Sequence, residues 1–152
     1  VTSLKEQLHA DMVSSMKARD ELRTSTLRMV LTAVQTEEVA GSAARELTDD
    51  DVQKVLGREA KKRREAAEAY DGANRPELAA RERAEGEIID AYLPKQLDDS
   101  ELEALVVAAL ETAGVIGGGQ QAMGTAMKAA NAAVAGRAEG GRVAAIVRSR
   151  LG

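Results

Sequence analysis

Apolar residues return every three to four positions through most of the chain, the spacing of one helix face. Leu4, Leu8, Met12 and Met16 mark the first stripe, and Ser3 with Glu6 gives a capping-box pattern at its start. This predicts a helix over 3–19, after which Asp20 can cap a second over 21–40 built on Leu27, Val30, Leu31 and Val34. Gly41 and Ser42 break the pattern and open a loop over 41–47. Thr48 and Asp51 cap a third helix, whose stripe is Val52, Val55, Leu56 and Ala60 and which Gly72 ends. Pro76 opens a fourth helix in a favourable first-turn position. Leu78, Ile88, Ile89, Tyr92 and Leu93 face inward, and Pro94 stops it.

After a boundary over 95–99, Asp98 and Glu101 cap a fifth helix that ends near Ala113. A glycine-rich loop follows, then a sixth helix over 121–134, a loop from Gly136 to Gly141, and a seventh helix over 142–151. Period-two runs of strand formers are absent, so the expected class is all-α. The expected organisation is an N-terminal four-helix bundle-like domain, 1–95, and a smaller C-terminal three-helix domain, 97–152.

A chain of 152 residues hides roughly 70% of its unfolded surface, enough for a core without covalent staples. With no Phe or Trp and only two Tyr, that core must be Leu, Val, Ile, Met and Ala. The lack of cysteine excludes disulfides, thiolate metal sites and cysteine nucleophiles. No apolar run reaches the ~20 residues of a membrane span, and the start lacks a signal-peptide core. The expectation is a soluble, cytoplasmic protein with no membrane partner.

The net charge of −4 is unevenly spread: residues 114–152 carry +4, leaving −8 on 1–113. That asymmetry points to an anionic partner for the C-terminal end, unless short tails simply vary in charge. The candidate surface is Lys128, Gly136, Arg137, Gly140, Arg142, Arg148 and Arg150. Backbone N–H groups at the start of the seventh helix attract anions, and glycines let a phosphate come close. The competing reading is a plain helix–helix connection with Glu139 as cap.

Other constellations read as structural. His9 is the lone histidine, with Glu6 and Asp11 too few to complete a site. Asp49, Asp50 and Asp51 point in different directions around a helix and suit its first turn. Lys61-Lys62-Arg63-Arg64 reads as a solvated face, since Glu59 and Arg63, Lys61 and Glu65, and Arg64 and Glu68 are spaced as i,i+4 pairs. The 117–125 glycines lack the Gly-Lys-Ser/Thr of a P-loop and follow no strand. No catalytic residue, metal ligand or cofactor is assigned.

Three stretches together resemble the GatB/YqeY family. They are Leu4 to Lys17 with Leu27-Arg28-Met29-Val30; Ala73 to Leu78 leading into Tyr92-Leu93-Pro94-Lys95-Gln96-Leu97; and Met123-Gly124-x-x-Met127 followed by Gly136 to Gly140 and a basic closing helix. The resemblance implies two helical parts and kinship with the C-terminal tail of the B subunit of tRNA-dependent amidotransferases, a tRNA-contacting appendage. It implies that Gly136, Arg137 and Gly140 form the family's glycine-basic loop, with Met123 and Gly124 packing beneath.

The leading functional expectation is a non-catalytic, tRNA-associated helical module. RNA shape recognition through phosphates does not require aromatics, whereas single-strand stacking does. An alternative is a helical protein-interaction module, docking on a synthetase or amidotransferase through a groove of Met123 and Met127. A further alternative is a contribution to carbon–nitrogen ligase activity, with glutamine as amido donor, inside a complex.

Overall fold

The computed structural model describes residues 2–152, and within them the protein is all-helical. The helices are α1 (Leu4–Lys17), α2 (Glu21–Glu38), α3 (Asp49–Gly72), α4 (Pro76–Asp90), α5 (Asp99–Ala113), α6 (Met123–Val134) and α7 (Gly140–Leu151), with a single 3-10 turn (Gln120–Ala122) before α6. The chain forms two compact units, one ending at Leu93 and the other spanning Pro94–Gly152.

In the first unit α1 packs on α2, α3 and α4 form a long hairpin, and α2 lies against both. Leu8, Leu27, Val30, Val34, Val52, Val55, Leu56, Ala60 and Ile89 make its core. Local chemistry sets the helix starts. Ser3 Oγ accepts the Glu6 N–H at 3.2 Å, Asp20 receives Arg23 N–H at 3.1 Å, and Thr48 and Asp51 form a complete capping box. The Asp51 carboxyl is held below its ordinary range, first by the Thr48 backbone N–H it accepts, then by the Thr48 side chain. Asp49 acts across helices instead, where its carboxylate accepts the Leu4 N–H at 3.0 Å, at the start of α1.

The second unit is built by α5, α6 and α7 around Leu102, Val106, Leu110, Ala126, Ala130, Val134, Val143, Val147 and Leu151. Asp98 and Glu101 complete a capping box on α5, and Gly114 ends that helix in the left-handed region, φ 69°. The glycine-rich loop is committed to structure. Gly117 N–H donates to Arg150 O at 2.9 Å and Gly119 N–H to Leu151 O at 3.0 Å, so the loop satisfies the last carbonyls of α7.

Several boundaries differ from the sequence pattern. Helix α1 stops at Lys17 and α2 at Glu38, because Ser15 O and Glu38 O accept turn hydrogen bonds from Asp20 and Arg45 N–H. Helix α4 ends at Asp90, and Tyr92 and Leu93 continue only as turns. The expected 136–141 loop is shorter: Gly140 and Gly141 already form the first turn of α7.

Candidate nucleic-acid interface

The seven predicted contact residues all lie in the Pro94–Gly152 unit, in three different settings. Arg137 is turned back on α6. Its Nε donates to Val134 O at 3.1 Å and its Nη2 to Ala133 O at 3.4 Å, placing a cation on the last carbonyls of a helix C-terminus. Arg142 donates from Nη1 and Nη2 to Leu97 O, both at 3.4 Å, and from Nη2 to Asp99 Oδ1 at 2.7 Å. Arg150 Nη2 donates to Glu103 Oε1 at 2.6 Å. Lys128 and Arg148 are exposed and have no ion-pair partner among the described residues.

The glycines provide shape. Ala135 (φ 51°) and Gly136 (φ 78°) are both left-handed, reversing the chain after α6. Gly140 and Gly141 are exposed, with open space where a Cβ would stand. Glu139 occupies the N-cap position of α7 but makes no side-chain cap hydrogen bond, so the expected carboxylate cap on the tip is not formed. Gly124, expected to pack beneath this loop, is instead exposed, while Met123 is packed against the core. Met127 is likewise partly buried and packs against that core.

Charge does not converge as the tail count implies. The folded unit starts at Pro94 and includes Asp98, Asp99, Glu101, Glu103 and Glu111, so its six acids equal its six Lys and Arg and its net charge is zero. On α7 the direction also splits. At about 100° per residue, Arg148 lies about 160° around the helix from Arg150 and about 120° from Arg142. Arg142 and Arg150 face the acids of α5; Arg148 does not.

The most elaborate polar arrangement sits in the first unit. Arg63 is only 9% exposed, with Glu59 and Glu85 equally buried beside it. Arg63 Nη1 donates to Glu59 Oε1 at 3.0 Å, and Nε lies 3.6 Å from Glu85 Oε2, too far for a hydrogen bond, which leaves that N–H without an acceptor. Lys62 reaches Glu59 at 3.0 Å and Arg81 reaches Glu85 at 3.4 Å from the exposed side. Gly86 lies against Arg63: a Cβ there would stand 3.7 Å from the Arg63 Cβ, an ordinary van der Waals contact. The basic run is therefore not uniformly solvated. Arg63 faces the core because it falls in register with Leu56, Glu59, Ala60 and Ala67, and that spacing was the available signal.

A second network ties Tyr92 into the same unit. Its hydroxyl donates to Asp11 Oδ2 at 2.5 Å and accepts from Arg23 Nη2 at 3.2 Å. Burial pushes the phenol up to about 12, the Asp11 hydrogen bond and charge add to the rise, and Arg23 opposes it. Asp11 also accepts from Gln7, and Glu6 from Ser3, so neither acid serves His9. His9 is exposed beside an open groove of about 640 Å³ over Met12, Leu31 and Leu47. Among the described residues no group of three His, Cys, Asp or Glu could hold a metal ion, and no helix is long and apolar enough to cross a membrane.

The fold and these surfaces define a two-unit helical protein whose polar networks are spent mainly on holding helices together. The chain belongs to the YqeY-like protein family, whose model matches residues 5–151. It is 31% identical over 106 residues to the mitochondrial "altered inheritance of mitochondria protein 41" of Clavispora lusitaniae, covering 68% of this chain and 61% of that protein. It is 30% identical over 96 residues to an uncharacterized protein of Schizosaccharomyces pombe, covering 62% of this chain and 76% of that one. The match thus spans about three fifths of the Clavispora protein's length.

Proposed function

We propose that this YqeY-like protein is a non-catalytic, tRNA-associated helical module, kin to the amidotransferase B-subunit tail, and that it works in the cytoplasm. The observation that carries the reading is the pair of exposed cations on α6 and α7 that have no partner among the described residues. Lys128 and Arg148 each lie about two helical turns from the connection between the two helices, on either side of the open Gly140–Gly141 tip.

The ion pairs of Arg142 and Arg150 do not oppose this use. Asp99 is 99% exposed on its side chain and Glu103 is 55%, so each pair is a surface pair worth about 0–1 kcal/mol. A phosphate oxygen can replace either carboxylate with little loss. The acids still dilute the positive field, so binding is weak and strongly salt-dependent. Affinity rests on phosphate contacts rather than base stacking.

The test is a gel-shift titration of the full chain with unfractionated tRNA across salt. Lys128→Ala with Arg148→Ala should weaken binding and flatten its salt slope by about two contacts. Asp99→Asn with Glu103→Gln should tighten it. Absence of binding at low salt, or the same affinity in all three chains, rejects the reading. A protein partner recovered from cells in the absence of RNA would replace it with the protein-interaction reading. Cell fractionation checks the compartment.

A further inference from the structure

The chain has five methionines, its only oxidisable sulfurs. Met12, Met123 and Met127 are partly buried and pack against the two cores. Met16 and Met29 are 50% and 40% exposed. Each of these two has an arginine N–H directed at its sulfur: Arg28 Nη2 is 3.9 Å from Met16 Sδ and Arg63 Nη2 is 3.6 Å from Met29 Sδ.

The two arginines differ. Arg28 is exposed, with water available to its donors. Arg63 is the buried guanidinium fixed by Glu59 and Glu85, and its Nε–H already lacks an acceptor. Its Nη2 is offered a thioether, among the weakest acceptors in proteins. A buried cation short of acceptors therefore sits against a sulfur that solvent can reach.

We propose that Met29 is a reversible oxidation site whose sulfoxide oxygen is received by Arg63. A hydroperoxide supplies the oxidant. A sulfur lone pair attacks one peroxide oxygen, the O–O bond breaks, the thioether is oxidised by two electrons to the sulfoxide, and hydrogen peroxide leaves as water. The new oxygen is a strong acceptor, and the three rotatable bonds of methionine let it turn toward Nη2. The weak N–H···S contact becomes a charge-assisted hydrogen bond. At a core methionine the same oxygen would enter an apolar environment and destabilise the fold. Methionine sulfoxide reductases, which act on each sulfoxide epimer, restore the thioether.

The experiment treats the full chain carrying Met16→Leu with graded hydrogen peroxide and maps oxidation by peptide mass spectrometry. Met29 should gain one oxygen several-fold faster than Met12, Met123 or Met127, and reductase should remove it. The melting temperature should hold or rise after selective oxidation. The Arg63 side-chain 1H–15N resonances should shift, and should stay still in a chain that also carries Met29→Leu. Oxidation of Met29 no faster than of the partly buried methionines overturns the proposal. So does a fall in melting temperature, or an Arg63 resonance that does not move.

Discussion

The first unit buries an arginine and two glutamates, while every buried side chain of the second unit is aliphatic. Both units are rich in arginine, yet they use it in opposite ways. Arg63 is held between α3 and α4 by acids that are themselves largely withdrawn from water. Arg142 and Arg150 hold exposed acids of α5 from the surface. The lesson is that burial, more than residue type or pairing, decides what an ion pair does to the fold.

The largest effect should come from Arg63→Ala. It leaves Glu59 and Glu85 buried near each other with only Lys62 and Arg81 at the exposed side to offset them, which costs up to about 3 kcal/mol. Urea denaturation should show the first unit unfolding at much lower denaturant. Replacing all three residues at once, as Glu59→Leu, Arg63→Met and Glu85→Leu, should restore most of that loss, because no unpaired charge remains. A single-mutant loss below about 1 kcal/mol would make this cluster no different from the surface pairs.

A purely steric change tests the second unit. A Cβ on Gly118 would stand 2.9 Å from both Val115 O and the Ala122 Cβ, and the carbonyl is backbone that cannot swing away. Gly118→Ala should cost about 1–3 kcal/mol. Gly57, a helical glycine of α3 with no atom within 4 Å of its Cβ position, provides the contrast. Gly57→Ala should stabilise by about 0.5–1 kcal/mol, measured by the same denaturation.

Tyr92 brings pH into the comparison. Its folded-state value is raised to about 12 from 10.0, so the protein favours the neutral phenol. That contribution is complete below pH 10, shrinks as pH climbs, and is gone above about 12. The denaturation midpoint should fall across that window, and Tyr92→Phe should remove this part of the pH dependence at a cost near 1 kcal/mol at neutral pH. In a Tyr70→Phe background the phenolate absorbance reports Tyr92 alone.

The helices and their faces were legible because alanine-rich stripes with Ser, Thr and Asp caps obey local rules. Thr48 with Asp51 and Asp98 with Glu101 both form the expected capping boxes. What local rules missed was assignment between helices. Glu59 and Arg63 read as an exposed i,i+4 pair because nothing in α3 announces Glu85, which arrives from α4 beside Gly86. The net charge of that unit was over-counted for a related reason. Counting charge from residue 114 omitted α5, whose Asp99 and Glu103 meet two of the expected phosphate-binding arginines. The 117–119 glycines lacked the residues of a phosphate loop, and in the structure Gly117 and Gly119 donate to the end of α7 while Gly118 donates to Val115 O.

The smallest effects should come from the surface arginines, and they decide whether the contrast between the units holds. Arg150→Ala removes one pair with Glu103, whose carboxylate returns to water, so stability should change by no more than about 0.5 kcal/mol. Arg142→Ala should cost slightly more, up to about 1 kcal/mol, because its guanidinium also bonds the partly buried Leu97 carbonyl that joins the 94–98 segment to α7. Salt separates these contributions: 1 M chloride screens the Asp99 pair, leaving only the carbonyl bond to be lost, so the gap between wild type and Arg142→Ala should narrow but not close. A loss of several kcal/mol at either position would mean that the second unit, too, depends on its ion pairs, and the distinction between buried and surface arginine drawn from this fold would fail.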